Sequence, residues 1–365
     1  MSVNRLYHSW FAQIRQLRPK EHLTRLRNFV WLIIGIYSSR AVHLSRVAGK
    51  IPGSAKQLSI VRRLGRLLDN AAIRVREWYA PVARALLQAA AHSMGEIRLI
   101  VDATKVSFHH QLLIVTVAFR RRALPIAWTW VRCERGHSSI RKQLALLSYV
   151  RGLLPAAVPV LLVGDSEFGA VEVLRQVEDW GWHYVLRHQV KHLVLLDGAS
   201  DWQRFGDFAP QPGQSHWLGR GLLTREFAHP TNLLAHWAAG YEQPWLLSTN
   251  LPTARVALQA YRRRMWVDEM FGDWKGHGFD LESSHLCHFD RLARLTLAVA
   301  LLYLWLAAMG TEVIKKGWRH LVDRVERRDL CIFQIGLRWV ERCLTNALPL
   351  SVRLCPALGQ EVSGG

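Results

Sequence analysis

The chain has 365 residues, half of them hydrophobic, enough for two or three ordinary domains with a sizeable buried core and against disorder as the default. Lysine and arginine outnumber aspartate and glutamate by 48 to 28, a formal net charge of +20. That excess suits a polyanionic partner and argues against a small neutral substrate, so nucleic acid is the first candidate and an anionic membrane surface the second.

The N-terminus is polar and basic, without the apolar stretch and small-residue cleavage site of a signal peptide. Five widely spaced cysteines (Cys133, Cys287, Cys331, Cys343, Cys355) form no Cys-x-x-Cys pair, which fits a reducing cytoplasm. Residues 1 to about 95 read as an all-helical domain rich in arginine and lysine. Within it, Val42 to Ala48 is expected as a short helix, Gly49-Lys50-Ile51-Pro52-Gly53 as a turn, and Ser54 to Leu68 as a second helix. The second helix would expose Lys56, Arg62, Arg63 and Arg66 in a spacing like that of a helix-turn-helix. An ordinary helical hairpin with a solvated basic face is the alternative.

From residue 96 the pattern changes. IRLIVDATKV, QLLIVTVAF and ALPIAWTWV are three apolar, β-rich runs that predict a meander. A helix follows at about Ser138 to Leu153, then a buried strand in VPVLLVGD, a helix over Gly169 to Trp180, and a strand in WHYVLRH. The order βββαβαβ is that of an RNase H-like mixed α/β sheet flanked by helices. Residues about 191–242 are less regular and read as an insertion into a catalytic domain of about 96–320. QPWLLSTN adds a strand, and Thr253 to Trp274 is a charged helix. The apolar runs Phe29 to Tyr37 and Leu295 to Gly310 fall short of the roughly 20 residues of a membrane span. The longer run is expected as a core helix, so no membrane contact is expected. Residues 321–365 read as a basic C-terminal tail, and the stretch from Lys315 through Lys316, Arg319, Arg324, Arg327 and Arg328 as a basic face.

Asp102 interrupts an apolar strand, where a carboxylate is costly unless a partner or metal compensates. Asp165 ends a second apolar strand at its carboxyl edge, where α/β sheets commonly hold ligands. Either aspartate alone is equally well read as a strand-end cap or turn residue. Together, on adjacent strands, they repel unless a divalent cation such as Mg²⁺ or Mn²⁺ lies between them. In YRRRMWVDEMFGDWKGHGFDLE, at about 100° per residue, Tyr261, Arg264, Asp268 and Lys275 fall in a helical stripe about 60° wide. Glu269 points about 100° away, which favours Asp268 as the third carboxylate and leaves Glu269 as the alternative. A surface helix with i,i+3 and i,i+4 ion pairs is the bland reading.

These residues resemble the insertion-sequence transposases of the DDE class that carry a Tyr-Arg-Glu-Lys signature. The match is Tyr261-x2-Arg264-x3-Asp268-x6-Lys275, with the earlier aspartates in VDAT and VGDSEFG, over most of residues 96–310. The family usually has Glu where this chain has Asp268. The resemblance implies metal-dependent phosphodiester hydrolysis and strand transfer at transposon ends. It implies two Mg²⁺ ions held by Asp102, Asp165 and Asp268, with phosphate contacts from Tyr261, Arg264 and Lys275. Double-stranded DNA, a synaptic homodimer and a bacterial, nucleoid-associated location follow from it. A descendant that binds DNA without cutting is the competing class. His285, Cys287 and His288 lack the second pair of a zinc finger, and His109-His110 reads as a hairpin turn. Most of the sixteen tryptophans read as core, with Trp202 and Trp217 as candidates for stacking on a base.

Overall fold

The computed structural model describes residues 2–106, 110–132 and 137–356. His109 and Cys133 lie outside the described residues. The chain forms two compact units, one of Met1–Ser93 with Met270–Gly365 and one of Met94–Glu269.

Five helices open the first unit: α1 (Ser2–Leu17), α2 (Leu23–Ser39), α3 (Leu44–Ala48), α4 (Gln57–Asp69) and α5 (Val75–Met94). In α1, Leu6, Trp10 and Ile14 recur every four residues and are buried, the stripe of an amphipathic helix. The apolar run of α2 is buried from Phe29 through Tyr37 apart from Trp31. Between α3 and α4 the chain turns at Pro52-Gly53, where Gly53 has φ 138°, a conformation open to glycine. Gln57 Nε2 donates to Ser45 O at 2.8 Å and ties the two helices. On α4, Ile60, Leu64, Leu67 and Leu68 face inward. Lys56, Arg62 and Arg66 are exposed. Arg63 corrects the sequence expectation: it flanks the buried stripe and is half-buried, with its Nε inaccessible and unpartnered.

The second unit is built on β1 (Ile97–Lys105), β2 (His110–Phe119), β3 (Arg122–Arg132), α6 (Ile140–Arg151), β4 (Val160–Gly164), α7 (Val171–Asp179) and β5 (His183–His188). It continues through β6 (Leu193–Leu196), β7 (Gln203–Arg204), β8 (Ser215–Leu223), β9 (His229–His236), β10 (Trp245–Thr249) and α8 (Ala254–Tyr261). The expected βββαβαβ order is present. One ten-stranded sheet runs β3-β2-β1-β4-β5-β10-β9-β8-β6-β7. The first three strands pair antiparallel, and β1-β4-β5 pair parallel. Helices α6, α7 and α8 pack on its strands. The segment 191–242, irregular by sequence, supplies β6 to β9 and extends the same sheet.

Polar contacts fasten β5 to α7, β9 and β10. Tyr184 on β5 contacts Glu178 Oε1 (2.8 Å) and Thr231 Oγ1 (2.9 Å) through its hydroxyl. His188, 2% exposed, contacts Ser248 Oγ on β10 at 2.7 Å. Burial, aided by His192 and His229, pushes His188 down from 6.5 to about 3. Because the folded state excludes this proton, the contribution of His188 to stability is fully present above pH 6.5 and is lost as pH falls toward 3. By pH 5 the loss is expected to reach roughly 2 kcal/mol. Thermal melts between about pH 7.5 and about 4.5 check this: His188→Gln should flatten the decline, and a variant with the wild-type slope contradicts it.

Past the sheet come α9 (Trp266–Trp274), α10 (Phe289–Lys315) and α11 (Ile332–Thr345). By length and composition α10 passes as a membrane span, longer than the apolar run suggested, yet 94% of its apolar window is buried inside the protein. The stretch expected as a basic tail contains α11, whose apolar face packs on α10. Gly310 and Gly336 allow that packing, since a Cβ on either would lie 1.9 Å from a backbone oxygen of the facing helix. The basic face is partly neutralised, with Lys316 on Glu312, Arg319 on Asp323 and Arg327 on Asp329.

Candidate active site

Asp102 is the sixth of the nine residues of β1, and Asp165 directly follows β4. The parallel register pairs Val101 with Gly164, which sets Asp102 beside Asp165 at the carboxyl end of β4. Gly164 permits this approach: a Cβ there would lie 2.8 Å from Val101 Cγ1 and 3.2 Å from Phe168 Cβ. Asp165 opens a turn, with Phe168 N donating to its carbonyl (3.1 Å) and Glu167 N to its Oδ1 (3.0 Å). Its Oδ2 is left for the site.

The third part arrives differently from the sequence expectation. A single helix over 253–274 is interrupted: α8 ends at Tyr261, Arg262–Met265 form a 3₁₀ turn, and α9 begins at Trp266. The tighter turn advances each residue further around the axis, so the stripe computed at α-helical spacing does not exist. Lys275 lies beyond α9, in the other unit, where its amine meets Glu282 at 2.9 Å. Tyr261 is fully buried, ring-to-edge with Trp245 at 5.1 Å, and its hydroxyl has no hydrogen-bond partner among the described residues.

Arg264 and Asp268 do meet, one turn apart, and Arg264 lies among three carboxylates. Its Nη2 is 2.7 Å from Asp102 Oδ2 and 3.9 Å from Asp165 Oδ2. Its Nη1 is 3.0 Å from Asp268 Oδ2. Glu269 points elsewhere, to Arg122 on β3 at 3.0 Å. The structure thus brings together Asp102, Asp165, Arg264 and Asp268, with Glu269 outside.

The electrostatics follow from burial. Asp102 is 2% exposed, and burial pushes its carboxyl up to about 8 despite the pull of Arg264, with Asp165 and Asp268 adding to the rise. Asp268 is raised for the same first reason, against Arg264 and with Asp165 and Glu269. Burial opposes the charge on Arg264, but Asp102 and Asp268, followed by Tyr261 and Asp165, raise its proton affinity, so it stays cationic.

The contact of Arg264 with Asp102 is short but poorly aligned, so Asp102 Oδ2 remains a buried acceptor without a hydrogen bond among the described residues. Three carboxylates against one guanidinium leave negative charge uncompensated when all ionise. Hard oxygen donors and an orphaned buried acceptor fit a divalent cation such as Mg²⁺. Among the described residues, no three His, Cys, Asp or Glu side chains form a ready-made ligand set. The guanidinium occupies the space between them.

Sequence reading overlooked Glu167 and Arg122. Glu167, in the turn after Asp165, accepts hydrogen bonds from Ser138 and Gln111. Neither Glu167 nor Arg122 carries a local signal, because their partners are remote in sequence.

None of the curated proteins matches the chain in sequence. Among solved structures, the one described as the cryo-EM structure of piggyBac transposase synaptic complex with hairpin DNA aligns with a TM-score of 0.41 and 11% identity, over 96% of this chain and 83% of that one. Residues 93–305, more than half of the sequence and holding all three carboxylates and Arg264, match the family described as Transposase DDE domain, and the chain belongs to that family.

Proposed function

We propose that this transposase is the enzyme of an insertion sequence, cutting and rejoining DNA at the element's ends through divalent-metal-dependent phosphodiester chemistry. The observation that carries the reading is the convergence of Asp102, Asp165 and Asp268 on Arg264. In it, the three aspartates hold two Mg²⁺ ions, for which Mn²⁺ substitutes. When bound, such ions activate water or a 3′-hydroxyl and stabilise the leaving oxygen of an in-line displacement. Asp102 anchors the site from β1, Asp165 from the turn after β4, and Asp268 from the first turn of α9. With the carboxylates engaged by cations, the guanidinium of Arg264 would be available to bind the phosphate at the cut end. Tyr261 and Lys275 complete the signature that the sequence resembles, with Asp in place of Glu, and assist in holding that phosphate. The buried Tyr261 hydroxyl reaches it only after local opening.

The same reading includes an RNase H-like catalytic core, a synaptic homodimer and a bacterial, nucleoid-associated location. It is tested on a labelled duplex carrying the inverted repeats that flank the element. Strand cleavage in Mg²⁺ and its loss in EDTA are expected, and cleavage that persists in EDTA defeats the metal mechanism. A second reading, a DNA-binding descendant that no longer cuts, is favoured by the shorter third carboxylate and by the guanidinium seated among the aspartates. It requires end binding without Mg²⁺-dependent cleavage.

DNA contact through α4 belongs to the proposal, supported by its exposed Lys56, Arg62 and Arg66. Arg62→Ala with Arg66→Ala should lower affinity at every salt concentration and reduce the slope of log affinity against log salt by about 2. Fluorescence anisotropy reads both quantities. An unchanged slope removes α4 from the interface, and Arg63→Ala should matter less.

A further inference from the structure

Asp165 hangs in a turn, yet one of its oxygens must be aimed into the site, and the residue two positions on is tied down at every polar atom. Glu167 N donates to Asp165 Oδ1 at 3.0 Å. Its carbonyl accepts from Gln143 Nε2 at 3.1 Å. One carboxylate oxygen accepts from the backbone N–H (2.7 Å) and the hydroxyl of Ser138, and the other from Gln111 Nε2 (3.0 Å). Gln143 Nε2 also reaches Ser138 Oγ at 3.0 Å, closing the network. Gln111 and Gln143 are 3% and 1% exposed and Ser138 7%, so these donors have little water to turn to.

We infer that Glu167 is a positioning residue for the reaction, clamping the turn after β4 to β2 and to the start of α6 so that Asp165 presents Oδ2 to the metal. The inference rests on the metal-dependent reading above. A half-buried carboxylate filled by three donors is a stiff, acceptor-only bracket. Its backbone N–H engages Asp165 Oδ1, which fixes the rotation of that carboxyl. The partners lie on β2 (Gln111) and at the start of α6 (Ser138 and Gln143), so the clamp resists sliding of the turn in more than one direction. Outer groups that orient metal ligands typically govern affinity or activity by about 10- to 100-fold.

In Glu167→Gln the carboxylate charge is lost, and the new NH₂ group faces Gln111, whose amide must turn over to offer its Oε1 in place of Nε2, so the charge-assisted bond is replaced by a weaker neutral one. The double variant Glu167→Gln with Gln111→Glu reverses that pair: the oxygen of the introduced amide still accepts from Ser138, while its NH₂ group donates to the carboxylate introduced on β2. Mn²⁺ binding to the DNA-free protein, followed by electron paramagnetic resonance, reads the site without turnover. Glu167→Gln should weaken Mn²⁺ binding by about tenfold and raise the Mg²⁺ half-saturation of cleavage by a similar factor. DNA affinity should be unchanged, and the double variant should return Mn²⁺ binding to near wild type. Wild-type Mn²⁺ binding by folded Glu167→Gln overturns the inference, as does a deficit that tracks a lowered melting temperature and is not restored by the double variant. If the wild type itself neither binds Mn²⁺ nor cleaves, the metal-dependent reading is what fails, and this inference falls with it.

Discussion

Asp102→Asn is expected to lower Mg²⁺-dependent cutting of end DNA by on the order of a thousandfold or more while leaving a cooperatively folded protein. The two consequences separate because Asp102 does two jobs. As a structural group it is a buried carboxyl pushed up to about 8, one that readily takes the neutral form near neutral pH. Asparagine has nearly that shape and neutrality, and its oxygen keeps the 2.7 Å bond from Ala103 N. The cost is the attraction to Arg264, now facing an amide donor, for roughly 1–3 kcal/mol. As a cation ligand, by contrast, the residue has no substitute, since an amide carries neither the charge nor the second oxygen. Single-turnover cleavage alongside a thermal melt measures both effects. Cutting that survives in a folded Asp102→Asn protein eliminates the carboxylate from the chemistry.

The second large effect distinguishes adjacent residues. Asp268→Ala should cost about a hundredfold or more in cutting, whereas Glu269→Ala should stay within about fivefold. Asp268 Oδ2 meets Arg264 among the other two aspartates. Glu269 is 59% exposed on its side chain and pairs only with Arg122 among the described residues. Arg122 is buried but also donates to Arg121 O at 3.0 Å, so its guanidinium keeps an acceptor when Glu269 is removed, and a pair with one solvated member is worth about 1 kcal/mol. Asp268→Glu tests reach as well: if the shorter side chain limits the site, the longer one should raise the rate. The reverse ordering, Glu269→Ala inactive and Asp268→Ala active, makes Glu269 the third carboxylate and requires α9 to rotate.

Removing Arg264 tests neither role cleanly, because the same guanidinium neutralises the carboxylates here and is assigned to the phosphate in the reaction. Its loss leaves three acids facing one another, Asp102 buried, Asp165 half-buried and Asp268 exposed, with destabilisation expected from repulsion alone.

Much of the sheet was readable because strand burial imprints itself on adjacent residues. The runs around Val101, Val115, Ala127 and Val163 are apolar on both faces, as central strands must be, and Asp102 and Asp165 stand out against them. The strands of 191–242 escaped notice for the opposite reason. In β8 five of nine residues are polar or glycine and most are exposed, so it is a strand by virtue of pairing with β9. The 3₁₀ turn at Arg262–Met265 was also invisible, because RRRM suits an α-helix equally well. Arg63 was expected among the exposed basic residues of α4, yet it flanks the buried stripe and is half-buried.

By itself the sequence determined what is local and periodic: a basic chain, an apolar sheet core, two aspartates at strand positions where a charge is anomalous, and Asp268 one turn from Arg264. Tertiary structure alone decided what is paired. It set Asp102 beside Asp165 through the β1–β4 register, drew Arg264 among three acids, sent Glu269 to Arg122, and surrounded Glu167 with donors from Gln111 and Ser138. Charges and hydrogen bonds act over a few ångströms in space, and residues dozens of positions apart come within that range only when the sheet closes their loops.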